Sequence, residues 1–433
     1  MTEWFTMPLE IPPGYQPLDD GSLRLFLAGQ PAIAERLGGV GRDWSITEVG
    51  DGNLNLVFLV EGPSGGVCVK QALPYVRVVG KSWPMTVKRT YFEYEYIREQ
   101  TGHVNGRMPQ LYHYEPTLYA IVMERLAPHL IMRRGVIQGR CYPAFAEHVS
   151  DFMARSLFFT SDLAMPAGRK KMLMAIFCSN TELCKITEDL IFTDPYRVHD
   201  RNRWTAPELD SVAAEIRADR DLKLAISRLK MKFLSSAEAL IHGDLHTGSI
   251  MVTEHDTRVI DAEFAFVGPI GFDVGAVIAN LLLAFFSQHG HANATDLRGD
   301  YEDWLLNTVE QIWTLFSDRF LALWRDQAGG DGYPKELFEG PDGAGLEEER
   351  QRWMRRVYFD ALGFAAAKMI RRILGFAHVI DFEQIAERQR RALCELRALR
   401  LARDMMVNPE CYSTIAMVTG EARRLRLCET KEL

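Results

Sequence analysis

The sequence predicts an α+β chain of two lobes, a small β-rich one over residues 1–125 and a large, mainly helical one over residues 126–433. Three observations predict it. The chain has 433 residues, more than the roughly 250–300 at which a single core stops growing. Short β-type segments joined by Gly-rich turns crowd its first part. Helical periodicity dominates from about residue 126 onward.

The elements follow in order. Pro8, Pro12, Pro13 and Pro17 make residues 1–20 an extended lead-in. Leu23, Phe26, Leu27 and Ile33 recur at helical spacing, which predicts a helix over 21–37 ended by Gly38-Gly39. Strands are expected over 44–49, 56–61 and 67–71, with the turn Gly50-Asp51-Gly52-Asn53 between the first two. A helix over 86–100 and a strand over 118–123 complete the first lobe. Beyond it, helices are predicted over 143–160, 166–190, 207–218 and 222–235. Short strands are predicted at 239–241, 250–253 and 259–260. Everything after 272 reads as helical except 325–348, whose Gly and Pro content predicts a long loop. The helix over 382–406 carries an apolar stripe of Ile385, Leu393, Leu396, Leu399 and Met406.

Composition excludes several classes. Hydrophobic residues are 47% and charged residues 25%, an ordinary globular balance. The net charge of −8 lacks the basic footprint of a nucleic-acid binder. Seven Cys without a CxxC pair predict reduced thiols in the cytoplasm. The amino-terminal residues lack the basic and apolar regions of a signal peptide. The longest apolar run, Gly275 to Phe286, is about 12 residues where a membrane span needs about 20, so a buried core helix is expected and no membrane partner.

Chemistry concentrates in a few places. Small residues in Gly50-Asp51-Gly52-Asn53-Leu54-Asn55 let backbone N–H groups approach phosphate oxygens, although such a hairpin is more often only a turn. Lys70 ends the third strand, Val67-Cys68-Val69-Lys70, after that hairpin, where a cation can hold phosphates or simply face solvent. Glu93 and Glu95 lie on the next helix about 200° apart, so only one can face Lys70. The strongest signal is Ile241-His242-Gly243-Asp244-Leu245-His246, followed 17 positions after Asp244 by Asp261-Ala262-Glu263. Phosphoryl transfer needs such a pair of acidic loops, one for the acceptor hydroxyl and one for Mg²⁺. His242 and His246 as zinc ligands are the weaker reading, since Gly243 and Gly248 make a loop and no HExxH is present. On the helix 350–376, Arg355, Arg356, Lys368, Arg371 and Arg372 cannot all be solvated, which leaves an anionic or hydroxyl-rich ligand as an alternative to a plain charged surface.

In this order the pieces resemble the aminoglycoside phosphotransferase and choline kinase group, and most closely the 5-methylthioribose kinases. The fragments that say so are Asp51 to Phe58, Leu240 to Met251, Val259 to Gly275, and Asp360-Ala361-Leu362-Gly363-Phe364 with Lys368-Met369-Ile370-Arg371-Arg372. The resemblance implies a two-lobe protein-kinase-like fold, ATP and Mg²⁺ as cofactors, and phosphorylation of the anomeric hydroxyl of 5-methylthioribose in methionine salvage by a cytoplasmic homodimer. It implies a phosphate loop of Gly50, Asp51, Gly52, Asn53 and Asn55, with Lys70 on the phosphates and Glu93 as its partner. Met123, Glu124 and Leu126 fall in the hinge that meets adenine. Asp244 becomes the catalytic carboxylate, and Asp261 and Glu263 the metal ligands. Asn53, Asp244, Arg371 and Arg372 become acceptor contacts, and Lys81-Ser82-Trp83-Pro84 a tryptophan-bearing loop near the nucleotide. Ser249 stands where protein and aminoglycoside kinases have Asn, and Ala262 where the family usually has Pro. A choline, aminoglycoside or 5-deoxyribose-type acceptor, or a nucleotide-binding pseudokinase without activity, are the alternatives. The paired arginines disfavour cationic acceptors, and the intact acidic residues disfavour the pseudokinase.

Overall fold

A computed structural model describes residues 11–50, 54–77, 80–338 and 343–428. The first lobe is built on a five-stranded antiparallel sheet. Its strands are β1 (Ser45–Glu48), β2 (Asn55–Glu61), β3 (Gly66–Ala72), β4 (Leu111–Glu115) and β5 (Ala120–Glu124), in the order β1-β2-β3-β5-β4. Helices α1 (Asp20–Ala28) and α2 (Pro31–Leu37) cover one face, sharing a core of Leu23, Leu27, Ile33, Phe58, Val60, Val67 and Val122. The single helix expected over 21–37 is therefore two. Gly29 caps α1 through its N–H, and Pro31, which has no N–H to give, starts α2. Helix α3 (Arg89–Gln100) packs on the other face, against β3, β4 and β5.

The second lobe is helical, as expected: α4 (Met132–Ile137), α5 (Phe145–Phe159), α6 (Ala167–Phe177), α7 (Thr181–Phe192), α8 (Asp210–Ala218) and α9 (Arg220–Ser235) precede all but the first of its small strands. Strands β6 (Leu130–Ile131), β8 (Ile250–Val252) and β9 (Thr257–Val259) form one sheet, and β7 (Ala239–Ile241) with β10 (Phe266–Gly268) another. Then come α10 (Ile270–His291), α11 (Gly299–Gln327), α12 (Gly343–Leu374), α13 (Ile380–Glu383), α14 (Arg388–Val407) and α15 (Ile415–Leu427). The helix expected over 166–190 breaks at Cys178-Ser179-Asn180, where Asn180 Nδ2 turns inward to the carbonyls of Glu263 (3.0 Å) and Ala265 (2.9 Å). The loop expected over 325–348 is shorter, because α11 runs on to Gln327 and α12 begins at Gly343, with Arg325 paired to Glu347 across the gap. The helix expected over 382–406 divides after Glu383, leaving Ile385 in the bend before α14.

Helix α10 is the axis of this lobe. Long and apolar enough to cross a membrane, it has every residue of that apolar window buried inside the protein. Its neighbours are α12, α11 and α14. Gly275 lets α12 come close: a Cβ there would stand 2.4 Å from the Ala361 carbonyl oxygen. That contact fixes α12 against the loop after β7, which is where the candidate chemistry lies.

Candidate active site

The loop after β7 is held from below by α10. Asp273 accepts the backbone N–H of His242 (2.6 Å) and of Gly243 (3.1 Å). Gly243 has φ +81°, and a Cβ would meet the Phe264 carbonyl oxygen at 2.2 Å, so glycine is required twice over. The buried His242 bonds through Nε2 to the Ile260 carbonyl (2.9 Å), tying this loop to the second acidic loop. His246 Nδ1 accepts the N–H groups of Gly248 and Ser249, both at 3.0 Å. That fixes the tautomer: Nε2 carries the hydrogen and faces Asp244 Oδ2 at 3.2 Å. Both histidines thus serve the loop and leave the zinc reading without ligands. Ser249 Oγ donates to the Asp244 carbonyl (2.9 Å) and accepts from His246 N (2.8 Å), so it too braces the loop.

The Asp244 carboxylate also has Lys368 Nζ at 3.3 Å from Oδ1. Burial works against its charge. His246, Lys368 and Arg372 outweigh burial and hold the carboxyl well below the usual carboxylate range. His246 itself is pushed down to about 4, chiefly by burial, so at neutral pH the cations facing Asp244 are those of α12. Arg371 and Arg372, both half-buried, sit in the Asp244 field. Arg372 Nη1 donates to the Ala377 carbonyl (2.9 Å), and Arg371 Nε is buried without a hydrogen-bond partner among the described residues.

Opposite this loop, Lys70 on β3 forms a buried pair with Glu93 of α3 at 2.6 Å, and it bonds Asp261 as well. Glu95, the other helix acid, pairs with Arg98 instead. The carboxylates of Glu93, Asp261 and Glu263 lie within 4.8 Å of one another. Burial opposes charge on Lys70, but Asp261, Glu93 and Glu263 overcome it and hold the amine above its ordinary range. Burial pushes Glu93 up to about 7 against the pull of Lys70, with Asp261 and Glu263 adding to the rise. Burial also raises Glu263. Asp261 adopts φ +71°, a left-handed conformation that a non-glycine residue keeps only where its surroundings impose it. Hard carboxylate oxygens, crowded and underneutralised, fit a divalent cation such as Mg²⁺.

Asn55 was expected among the phosphate contacts. Its side chain is engaged inside the protein instead: Nδ2 donates to Glu263 Oε2 (2.7 Å) and Oδ1 accepts from Arg89 Nε (2.8 Å). The fully buried Arg89 also donates to the carbonyls of Leu54, Leu73 and Thr86, so it locks the strand after the turn. Gly50 is exposed, with nothing among the described residues within 4 Å of a Cβ there. Asp51, Gly52 and Asn53 lie outside the described residues. Met123 and Glu124 end β5, Leu126 follows half-buried, and Glu124 reaches the second lobe through Arg258 (3.3 Å). Trp83 bridges the lobes between Phe376 (5.7 Å) and Arg201 (5.8 Å). Sequence reasoning placed Lys368 in a basic cluster without assigning it a role, and it passed over Asp273, Arg89 and Asn180. An acid within the apolar run Gly271-Phe272-Asp273-Val274 was a usable signal, whereas nothing local marks Arg89 or Asn180.

Two acidic loops, one of them bonded to a buried Lys–Glu pair where a sheet lobe meets a helical lobe, are the arrangement of a phosphotransferase. Residues 45–306 match the phosphotransferase enzyme family. The chain is 45% identical over 408 residues to methylthioribose kinase 1 of Oryza sativa subsp. japonica, covering 94% of each. To methylthioribose kinase of Escherichia coli O45:K1 it is 43% identical, covering 95% of this chain and 99% of that one. It belongs to the methylthioribose kinase family. Among solved structures it is similar to a choline/ethanolamine kinase family protein from Mesorhizobium loti, with a TM-score of 0.42, 15% identity, and coverage of 92% of this chain and 99% of that one.

Proposed function

We propose that this protein transfers the γ-phosphoryl group of ATP to the anomeric hydroxyl of 5-methylthioribose, a step of methionine salvage. The chemistry rests on one observation above all, the bond from His242 to the Ile260 carbonyl that ties the loop of Asp244 to the loop carrying Asp261 and Glu263 beside Lys70 and Glu93. The acceptor rests on 40–45% identity to methylthioribose kinases over nearly the whole chain. In this reading Gly50, Asp51, Gly52 and Asn53 cover the phosphates, and Lys70, oriented by Glu93, binds them. The segment Met123 to Leu126 meets adenine. Asp261 and Glu263 would hold Mg²⁺, which supplies charge neutralisation on the phosphates. Asn55 and Arg89 aim Glu263, which supports a ligand role for that carboxylate.

Asp244 accepts the hydrogen of the anomeric hydroxyl and takes the proton late, because the transition state is largely dissociative. Arg371 and Arg372 line the acceptor side together with Lys368. Three cations there favour a neutral, hydroxyl-bearing acceptor whose product is anionic, and repel choline and aminoglycosides. The lobes divide near residues 125 and 126, and the enzyme works as a cytoplasmic homodimer.

The test is an ADP-release assay with Mg-ATP against 5-methylthioribose, 5-deoxyribose, ribose, choline and kanamycin. Turnover on 5-methylthioribose is expected. Turnover only on another compound would overturn the acceptor. The Asp244→Asn variant is expected to lose about 10²–10⁴-fold in kcat while still binding ATP. Wild-type turnover by that variant would remove Asp244 from the catalytic role. Asp261→Asn and Glu263→Gln are expected to raise the Mg²⁺ concentration needed for half-maximal rate, read from Mg²⁺ titrations at fixed ATP.

A further inference from the structure

Asp244 has two carboxylate oxygens, and the protein has spoken for both. Oδ2 faces His246 Nε2, and the His246 tautomer is fixed by the two backbone N–H groups on Nδ1. Oδ1 faces Lys368 Nζ at 3.3 Å. The Oδ2 contact is to a ring fixed by backbone, whereas the Oδ1 contact is to the end of a flexible side chain, so Oδ1 is the oxygen that can be shared with an acceptor hydroxyl. Lys368 is built into this place. Its side chain is 6% exposed, and its ammonium lies 4.3 Å from the centre of the buried Phe272 ring. The other acid in its field is Asp273, whose oxygens already accept from His242 N and Gly243 N. Lys368 also precedes Arg371 and Arg372 by three and four positions, so all three project from one face of α12.

A purely structural buried pair would close up to charge-assisted distance, about 2.7–2.9 Å. The Lys368 contact stays open at 3.3 Å. A buried ammonium is costly, and here it is placed on the oxygen that the reaction must use.

We propose that Lys368 is a positioning residue for phosphoryl transfer, which keeps Asp244 Oδ1 ionised and turned toward the acceptor and yields that oxygen to the acceptor hydroxyl. In the step itself the acceptor O–H bond breaks and its proton passes to Asp244 Oδ1. The new O–P bond forms as the bond from Pγ to the ADP oxygen breaks, and that electron pair leaves with ADP. Lys368 stays protonated throughout. The inference rests on Asp244 as the catalytic carboxylate.

The experiment compares kcat, the KM for ATP and thermal melting in wild type, Lys368→Ala, Lys368→Arg and Asp244→Asn, with and without added ethylammonium or propylammonium. Lys368→Ala is expected to lose about 10²-fold in kcat with the KM for ATP within about threefold of wild type. Alkylammonium ions are expected to restore a saturable part of that loss, and Lys368→Arg to retain more activity than Lys368→Ala. The inference is overturned by wild-type kcat in Lys368→Ala. It is equally overturned by a loss that no alkylammonium relieves in a variant that melts like wild type. If Lys368→Ala fails to fold, Lys368→Met, which keeps the length of the side chain and removes only the charge, takes its place, and wild-type kcat in that variant overturns the inference. Turnover by Asp244→Asn at the wild-type rate would instead sink the underlying assignment, so the two failures are distinguishable.

Discussion

At the scale of single residues, the site works by neutralising buried charge unevenly. Asp244 is faced by more cation than it can balance, and the Lys70 cluster holds more carboxylate than its cations can balance. Each half suits a partner of the opposite sign, an anionic product on one side and a divalent cation on the other. His246 illustrates the cost. Its folded value of about 4 lies below the ordinary 6.5, so between those pH values the unfolded chain binds a proton that the folded one refuses. Stability therefore falls as pH drops from 6.5 toward 4, by at most about 3 kcal/mol from this group. Urea titrations across that window are expected to show a shallower fall in His246→Gln than in wild type. Asp244, Asp261, Glu263 and Lys70 were legible because each stands in a short local pattern. Lys368 stood in the open within a quoted motif, but its use depends on a contact 124 positions away in sequence.

At the scale of elements, glycine decides how closely pieces approach. Gly243 lets the catalytic loop turn beneath Phe264, and Gly275 lets α10 meet α12. Gly243→Ala is expected to lower both melting temperature and kcat, since a left-handed φ and a 2.2 Å contact with backbone both oppose a Cβ. Gly275→Leu is expected to destabilise by about 1–3 kcal/mol or more through overpacking, with kcat falling as α12 shifts from Asp244. Gly50→Ala makes the contrast: among the described residues nothing stands near its Cβ, so melting is expected to stay within about 0.5 kcal/mol of wild type. Strands were read well because alternation and turn residues mark them locally. Helix breaks at Gly29-Gln30-Pro31 and at Asn180 were missed for different reasons. The first is a cap and a proline inside an otherwise continuous period. The second exists because Asn180 is needed by the carbonyls of Glu263 and Ala265, which no periodicity records.

At the scale of the whole molecule, the lobes are joined by polar contacts at the site itself. Asn55 and Arg89 of the first lobe hold Glu263 of the second, and Lys70 bonds Asp261. Arg89→Met strips a fully buried guanidinium from three carbonyls, Asn55 and Glu263, so it is expected to cost about 3–5 kcal/mol and to raise the KM for ATP, read by melting and steady-state kinetics. The sequence by itself determined the two-lobe class, the acidic loops and the identity of the principal charged residues, because phosphate chemistry demands particular residue types at short spacings. Tertiary structure alone decided that Asn55 serves Glu263, that Asp273 carries the catalytic loop, and that Lys368 shares an oxygen of Asp244. Those pairings join residues from 30 to more than 200 positions apart. Side-chain direction and burial at such separations are set by how α10, α12 and the sheet pack, and a linear pattern holds no record of that packing.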